Sequence, residues 1–166
     1  QKTLGGRAAL VRGDMRALPF LNAFDVVANY FTSFGYFDTE EDDLAVVSGI
    51  ARALKPGGRF FIDYIKRNWA EEHVEPTSIR SHGEYEIREE RWIDKVDHRV
   101  NKTTIVTKHG KKITETGESV KLFTLDDIVQ LLDKGGIAVE RTYGDYSGTD
   151  CCDPSKPRMI VIGRKK

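Results

Sequence analysis

Val11-Arg12-Gly13-Asp14-Met15-Arg16-Ala17-Leu18-Pro19-Phe20 and, shortly after it, Phe24-Asp25-Val26-Val27-Ala28-Asn29-Tyr30-Phe31 decide the fold. Ala8 to Arg12 is apolar enough for a short buried strand, ended by Gly13-Asp14. Pro19 restricts its own residue and the one before it, so Ala17 to Phe20 reads as a loop. Phe24 to Phe31 is a continuous apolar run with one acid near its start. Buried parallel strands have this composition, because helices cover both of their faces. Thr39-Glu40-Glu41-Asp42 is a helix start with a capping hydroxyl and an acidic first turn. Leu44, Val47, Ile50, Ala51 and Leu54 then recur at helical spacing. Lys55-Pro56-Gly57-Gly58 turns the chain, and Arg59 to Ile65 is the next strand. Strand, helix, strand with short connections predicts a right-handed parallel crossover. That order is the carboxyl-side half of a doubly wound α/β domain. The half expected before it, with a glycine-rich phosphate or nucleoside loop, is not in the sequence; Gly5-Gly6 is no substitute for it.

The character changes from His82 to Phe123. Glu84 to Trp92, Val100 to Lys108 and Lys112 to Leu122 each alternate polar and apolar residues, with His109-Gly110 at a turn. This predicts an antiparallel meander with one wet face. Its apolar content is too thin to fold alone, so it reads as an insertion. Thr124-Leu125-Asp126-Asp127 repeats the capping signature, with Ile128, Leu131 and Leu132 on the apolar face and Gly135-Gly136 as the stop. Ile137 to Tyr143 and Arg158 to Ile162 are closing strands. The expected organisation is one domain: a parallel α/β part over 1–81, a meander cap over 82–123, and a closing helix and hairpin over 124–166. A length of 166 residues fits a single domain.

Charge is balanced at 26 basic and 26 acidic residues, which gives no electrostatic case for nucleic acid or a membrane surface. No run approaches the ~18 apolar residues of a membrane span, and no signal peptide is recognisable. Gln1 rather than methionine opens the sequence, as expected of a processed or partial chain. The only cysteines, Cys151 and Cys152, are neighbours. A disulfide needs Cβ atoms ~3.8 Å apart in a defined dihedral, which adjacent residues rarely reach. Reduced thiols, and so a cytoplasmic setting, are expected. His73, His82, His98 and His109 are scattered without ligand spacing, so no metal site is expected. There is no Gly-x-Ser-x-Gly elbow and no Walker loop.

In open α/β sheets ligands sit beyond the carboxyl ends of the strands. Those ends carry Asp14-Met15, Asn29 to Thr32, and Asp63-Tyr64. An acid just past a strand accepts from an amino group and the next N–H donates to a ring nitrogen, a pair suited to an adenine edge; an aspartate there is also a common turn residue. Asn29 either contacts a ligand or satisfies its own strand end. The aromatic cluster favours packing for Phe31 and Phe37. For Tyr30 and Phe34 a pocket wall and packing are equally open.

Val11 to Phe20 with Phe24 to Phe37, Ala51-Arg52-Ala53-Leu54-Lys55-Pro56-Gly57-Gly58-Arg59-Phe60, and Tyr143 to Ser147 with Pro157 to Ile162 together resemble the class I S-adenosylmethionine-dependent methyltransferases. The resemblance implies an α/β fold with a Rossmann-like doubly wound sheet, incomplete at its N-terminal half, carrying an antiparallel β-meander insertion. It implies S-adenosylmethionine as cofactor, with Asp14 at the adenine amino group, the Met15 backbone at the ring, and Asn29 and the Tyr30 backbone near the methionine part. Substrate-lining residues are expected at Phe34, Tyr64, Arg88, Trp92 and Tyr146. Methyl transfer from a sulfonium needs little acid–base help, so no catalytic base is assigned. The family's acidic-x-Gly-x-Gly-x-Gly strand end and the acid for the ribose hydroxyls have no counterpart here. In the family's sheet the two missing strands lie between those ending at Asp14 and at Asn29. The implied function is methyl transfer to a small-molecule acceptor, as the C-terminal part of an enzyme not active alone. The alternative is an inactive, methyltransferase-like interaction fragment completed by a partner chain. Self-association or strand exchange would follow from the missing strands. A nicotinamide reductase would also need the glycine loop, and no Tyr-x-x-x-Lys pair occurs.

Overall fold

The computed structural model describes residues 8–166; Gly5 and Gly6 lie outside the described residues. The first sheet has four strands in the order β1-β2-β8-β7. Strand β1 (Phe24–Asn29) runs parallel to β2 (Leu54–Ile65), and helix α1 (Glu40–Ala53) makes the crossover between them. The expected turn at Lys55 to Gly58 is a bulge inside β2: Phe24 pairs with Leu54, but Val26 already pairs with Arg59. Gly57 takes a φ of 73° there, which a glycine adopts without cost. Strands β7 (Ile137–Tyr143) and β8 (Arg158–Lys165) are antiparallel neighbours, and β8 lies antiparallel against β2.

Both helix starts follow the sequence. Thr39 accepts the Asp42 N–H at 3.1 Å at the head of α1. Thr124 and Asp127 form a reciprocal capping box at the head of α3 (Leu125–Lys134). The apolar faces of α1 and α3 cover one face of this sheet. Val46, Val47, Ile50, Ile128, Leu131 and Leu132 pack there against Phe60, Ile62, Tyr64 and Val161 in one core.

The expected strand at Ala8 to Arg12 does not form. Residues 8–14 are exposed and without regular structure, up to a 3-10 turn at Met15–Ala17. The outer edge of β1 therefore has no partner strand among the described residues. β1 is also not buried on both faces as its composition predicts, because α1 and α3 cover only one of them. Val26 is 58% exposed and Phe24 38%, whereas Asn29, on the helix-covered side, is buried. The residues have the apolarity of an interior strand in an edge position, and apolarity alone carries no information about neighbours.

The antiparallel sheet has order β3-β4-β5-β6 and leaves the first sheet after a short helix, α2 (Arg67–His73). Strands β4 (Tyr85–Asp94), β5 (Arg99–Lys108) and β6 (Lys111–Lys121) are the expected meander. Strand β3 (Thr77–His82) adds a fourth member ahead of the expected boundary and pairs fully with β4. Its sequence, Thr-Ser-Ile-Arg-Ser-His, carries one large apolar residue and so no legible alternation. Among the described residues, no helix is long and apolar enough to cross a membrane.

Candidate active site

Asp14 is tied through Arg16 to the α1 end of the loop that joins β1 to α1, and Asn29 stands at the β1 end of that loop. Asp14 caps the 3-10 turn by accepting the Arg16 N–H at 2.9 Å. The Arg16 guanidinium grips both Asp14 oxygens, reaches Asp42 at 3.0 Å, and lies 4.6 Å over the Phe37 ring. These bonds hold the Asp14 carboxyl down at about 2. The pair is open to solvent, with side chains 45% and 41% exposed, so opening it for another donor costs little. Met15 packs against the edge of the core.

At the other end of the loop Asn29 is 92% buried, being 8% exposed. Its Nδ2 donates to the Ser33 carbonyl at 3.0 Å. Its Oδ1 is buried without a hydrogen-bond partner among the described residues. An orphaned acceptor at that depth is uncommon in a folded chain and fits a ligand donor. Tyr30, half exposed, packs its ring at a tilt against Phe61 at 5.0 Å and Phe31 at 5.9 Å. Phe31 departs from its expected packing role. It is 77% exposed, because it and Thr32 both take left-handed backbone (φ 56° and 58°) that throws the ring outward.

The turn is held from β2. Asp63 Oδ2 accepts the Phe31 N–H at 3.0 Å, the Asp63 carbonyl accepts the Thr32 N–H at 2.9 Å, and Thr32 Oγ1 accepts the Ile65 N–H at 3.0 Å. Asp63 also accepts the Tyr146 hydroxyl at 2.6 Å and Arg158 Nε at 2.5 Å. Burial alone would raise the Asp63 carboxyl, but Tyr146, Arg158 and the Phe31 N–H together hold it below its ordinary value. The sequence places Asp63 only among the strand-end residues and assigns no role to Arg158. An acid inside the apolar run Phe60 to Ile65 was the available signal, since a buried carboxylate needs partners.

The expected lining residues separate into two groups. Tyr146 stands 63% exposed beside the β1 exit, anchored only through its hydroxyl. Trp92 faces Asn101 across the β4–β5 ladder, and Asn101 faces Ser119 on β6. Strand alternation puts Arg88, Trp92, Asn101 and Arg99 on one face of the antiparallel sheet. Arg99 extends from that face to the Phe37 carbonyl at 3.3 Å, so the face is joined to the β1–α1 loop. Arg88 is paired with Glu90 at 2.8 Å and Trp92 is 52% exposed.

Phe34 and Tyr64, by contrast, are core residues, 3% and 0% exposed, and line no open pocket. Tyr64 points to the helix-covered side of β2 and gives its hydroxyl to the Lys121 carbonyl, a link between the two sheets. Phe34 packs on Phe123 at 5.7 Å in the same layer. For Tyr64, position at a strand end does not reveal which side of the sheet the residue takes.

Two clefts of about 340 and 360 Å³ lie on the helix side, at the base of the antiparallel sheet and around Lys66, Trp69 and Cys151. None of Asp14, Asn29, Tyr30 or Tyr146 lines either; Asp14, Tyr30 and Tyr146 are open to solvent, and Asn29 is buried at the end of β1. Cys151 is buried, Cys152 is exposed and both are free, with burial raising the Cys151 thiol. Among the described residues no three His, Cys, Asp or Glu side chains converge on a metal-sized site.

A family profile described as "Methyltransferase domain" matches residues 1–62. The cypemycin N-terminal methyltransferase of a Streptomyces species is 25% identical over 177 aligned residues, covering 99% of this chain and 68% of that protein. A S-adenosylmethionine-dependent methyltransferase from Clostridium acetobutylicum superposes with a TM-score of 0.76 at 16% identity, over 93% of this chain and 63% of that one. CalS10 from Micromonospora echinaspora, an amino pentose methyltransferase solved with S-adenosylmethionine bound, superposes at 0.63 with 16% identity and the same coverage, 93% and 63%. The chain thus spans under two thirds of the length of either structure.

Proposed function

We propose that this chain, which resembles the class I S-adenosylmethionine-dependent methyltransferases, forms one wall of a cofactor site and the acceptor side of a small-molecule methyltransferase. The cofactor supplies a methyl group on a sulfonium, already activated for transfer. What the chain contributes is binding and alignment. Asp14 exchanges Arg16 for the adenine amino group, and the Met15 N–H donates to the ring. The buried Asn29 Oδ1 accepts from the amino acid part of the cofactor, beside the Tyr30 backbone. The exposed faces of Tyr30 and Phe31 attract a nearby sulfonium through their π-clouds. Tyr146, with Arg88 and Trp92 on the antiparallel sheet, borders the acceptor. Holding the acceptor in line at contact distance is the main catalytic requirement, so the site needs no general base.

The observation that carries this reading is the orphaned Asn29 acceptor next to an unpaired, apolar strand edge. Both lack partners in the same place. We further propose that strands pairing with β1 complete the site, supplied by more of the polypeptide or by a partner chain. A second copy of this chain pairing through β1, with no activity of its own, is the alternative. Val26 and Phe24 at that edge favour some cover, since a free apolar edge is prone to pair. The free, adjacent thiols are in keeping with a cytoplasmic setting.

Calorimetry with S-adenosylhomocysteine on this chain tests the shared site. The expected result is weak binding, with a dissociation constant of about 1 mM or above, or no measurable heat. A tight complex would show that the described residues make the whole site and would sink the proposal.

A further inference from the structure

We propose that Asp63 is the positioning residue of this site: its carboxylate clamps the left-handed turn at Phe31 and Thr32 and the phenol of Tyr146 into one arrangement. What the turn and the phenol then touch rests on the methyltransferase reading. The clamp itself does not.

Asp63 is 0% exposed and is the only acid in the run Phe60 to Ile65. A buried carboxylate is tolerated only with donors, and here both oxygens have them. Oδ2 takes the Phe31 N–H and the Tyr146 hydroxyl, and Oδ1 takes Arg158 Nε. The donors come from three separate segments: the exit of β1, the loop after β7, and the first residue of β8. An ion pair serving stability alone would need only Arg158. The recruitment of a strained backbone N–H and a surface phenol points to positioning. Two consecutive non-glycine residues with positive φ persist only where the surroundings over-determine them. Asp63 supplies the carboxylate and the carbonyl that do so, with Thr32 Oγ1 closing the turn on Ile65. Tyr146 is 63% exposed, yet donating to Asp63 raises its phenol above the ordinary tyrosine value. The ring is thereby fixed beside Tyr30 without being packed.

Asp63→Asn keeps the volume but leaves one acceptor oxygen where the carboxylate has two. One donor set must then face an N–H. Amide hydrogen exchange by NMR is expected to rise at Phe31 and Thr32 by about tenfold or more, with the β7–β8 ladder unchanged. The Tyr146 phenol is expected to titrate at lower pH in the variant than in the parent chain. Where the parent binds S-adenosylhomocysteine measurably, the variant should bind it about tenfold more weakly. Unchanged exchange at Phe31, or a uniform rise across the sheet, overturns the proposal. If the variant does not fold, the parent still decides: Tyr146 titrating at the ordinary value of about 10 contradicts the clamp. Exchange and titration need no cofactor, so the clamp can fail while the methyltransferase reading stands, and the reverse.

Discussion

Replacing Lys121 by methionine is expected to destabilise the protein by about 3 kcal/mol at neutral pH, as when one member of a buried ion pair is removed. Lys121 ends β6 and places its Nζ 2.7 Å from Asp43 Oδ2 in the first turns of α1. Asp43 is 1% exposed, and its Oδ1 has no partner among the described residues. Burial raises the Asp43 carboxyl above its ordinary value, and Lys121 opposes that rise. A carboxyl raised in the folded state holds its proton there at a pH where the unfolded chain has released it. Its contribution to stability is therefore greatest below the unfolded value and falls as pH rises through the folded one. Without Lys121 the folded value moves further up. The deficit of Lys121→Met should be largest near neutral pH and shrink as pH is lowered below about 3, where Asp43 is neutral in both states. Urea unfolding of parent and variant across that range measures it. A deficit independent of pH would mean that the pair contributes packing rather than charge.

Gly35→Val is expected to cost about 2–5 kcal/mol, adding backbone strain to overpacking. Gly35 has a φ of 86°, a conformation that β-branched residues avoid. A Cβ there would meet the Tyr64 hydroxyl at 2.9 Å and Phe123 at 3.1 Å. Tyr64 is fixed through its bond to the Lys121 carbonyl, and the Lys121 N–H donates to the Gly35 carbonyl at 2.8 Å. Gly35, Tyr64 and Lys121 thus form the seam between the β1–α1 loop, β2 and the antiparallel sheet. The variant should lower the thermal midpoint and loosen the antiparallel sheet first, read as faster exchange at Val120 to Leu122 than in β7 and β8. A midpoint shift below 1 °C, with exchange unaltered at the seam, would show that the loop moves aside at no cost.

The legible part of the fold is the part governed by local chemistry. Thr39 and Thr124 announced their helices because a capping hydroxyl acts on N–H groups three residues away. The β1–α1–β2 crossover followed from spacing and handedness. Ala8 to Arg12 misled because apolarity does not form a strand without a neighbour to pair with. Strand β3 was invisible because its partner β4, not its own pattern, holds it in the sheet. At the site, Asn29 was accessible to reading as a residue at a strand end, whereas Asp14, read the same way, follows no strand and caps a 3-10 turn instead. Tyr64 was not correctly placed, because its side of the sheet is set by register with β8, and Phe34 takes the packing alternative because the β1–α1 loop folds it onto Phe123. Phe31 reads as packing from its type and as exposed from its φ, and φ here is imposed by Asp63, thirty-two positions away.

We propose that Asp14 and Asn29 flank a single cofactor cleft. Titrating S-adenosylhomocysteine into the isotopically labelled chain, at concentrations high enough for weak binding, tests it directly by NMR. The account predicts amide shifts at Gly13 to Arg16 and at Asn29 to Thr32 that follow one binding curve. Shifts confined to the cleft around Lys66, Trp69 and Cys151, or two segments that respond at different concentrations, would contradict it.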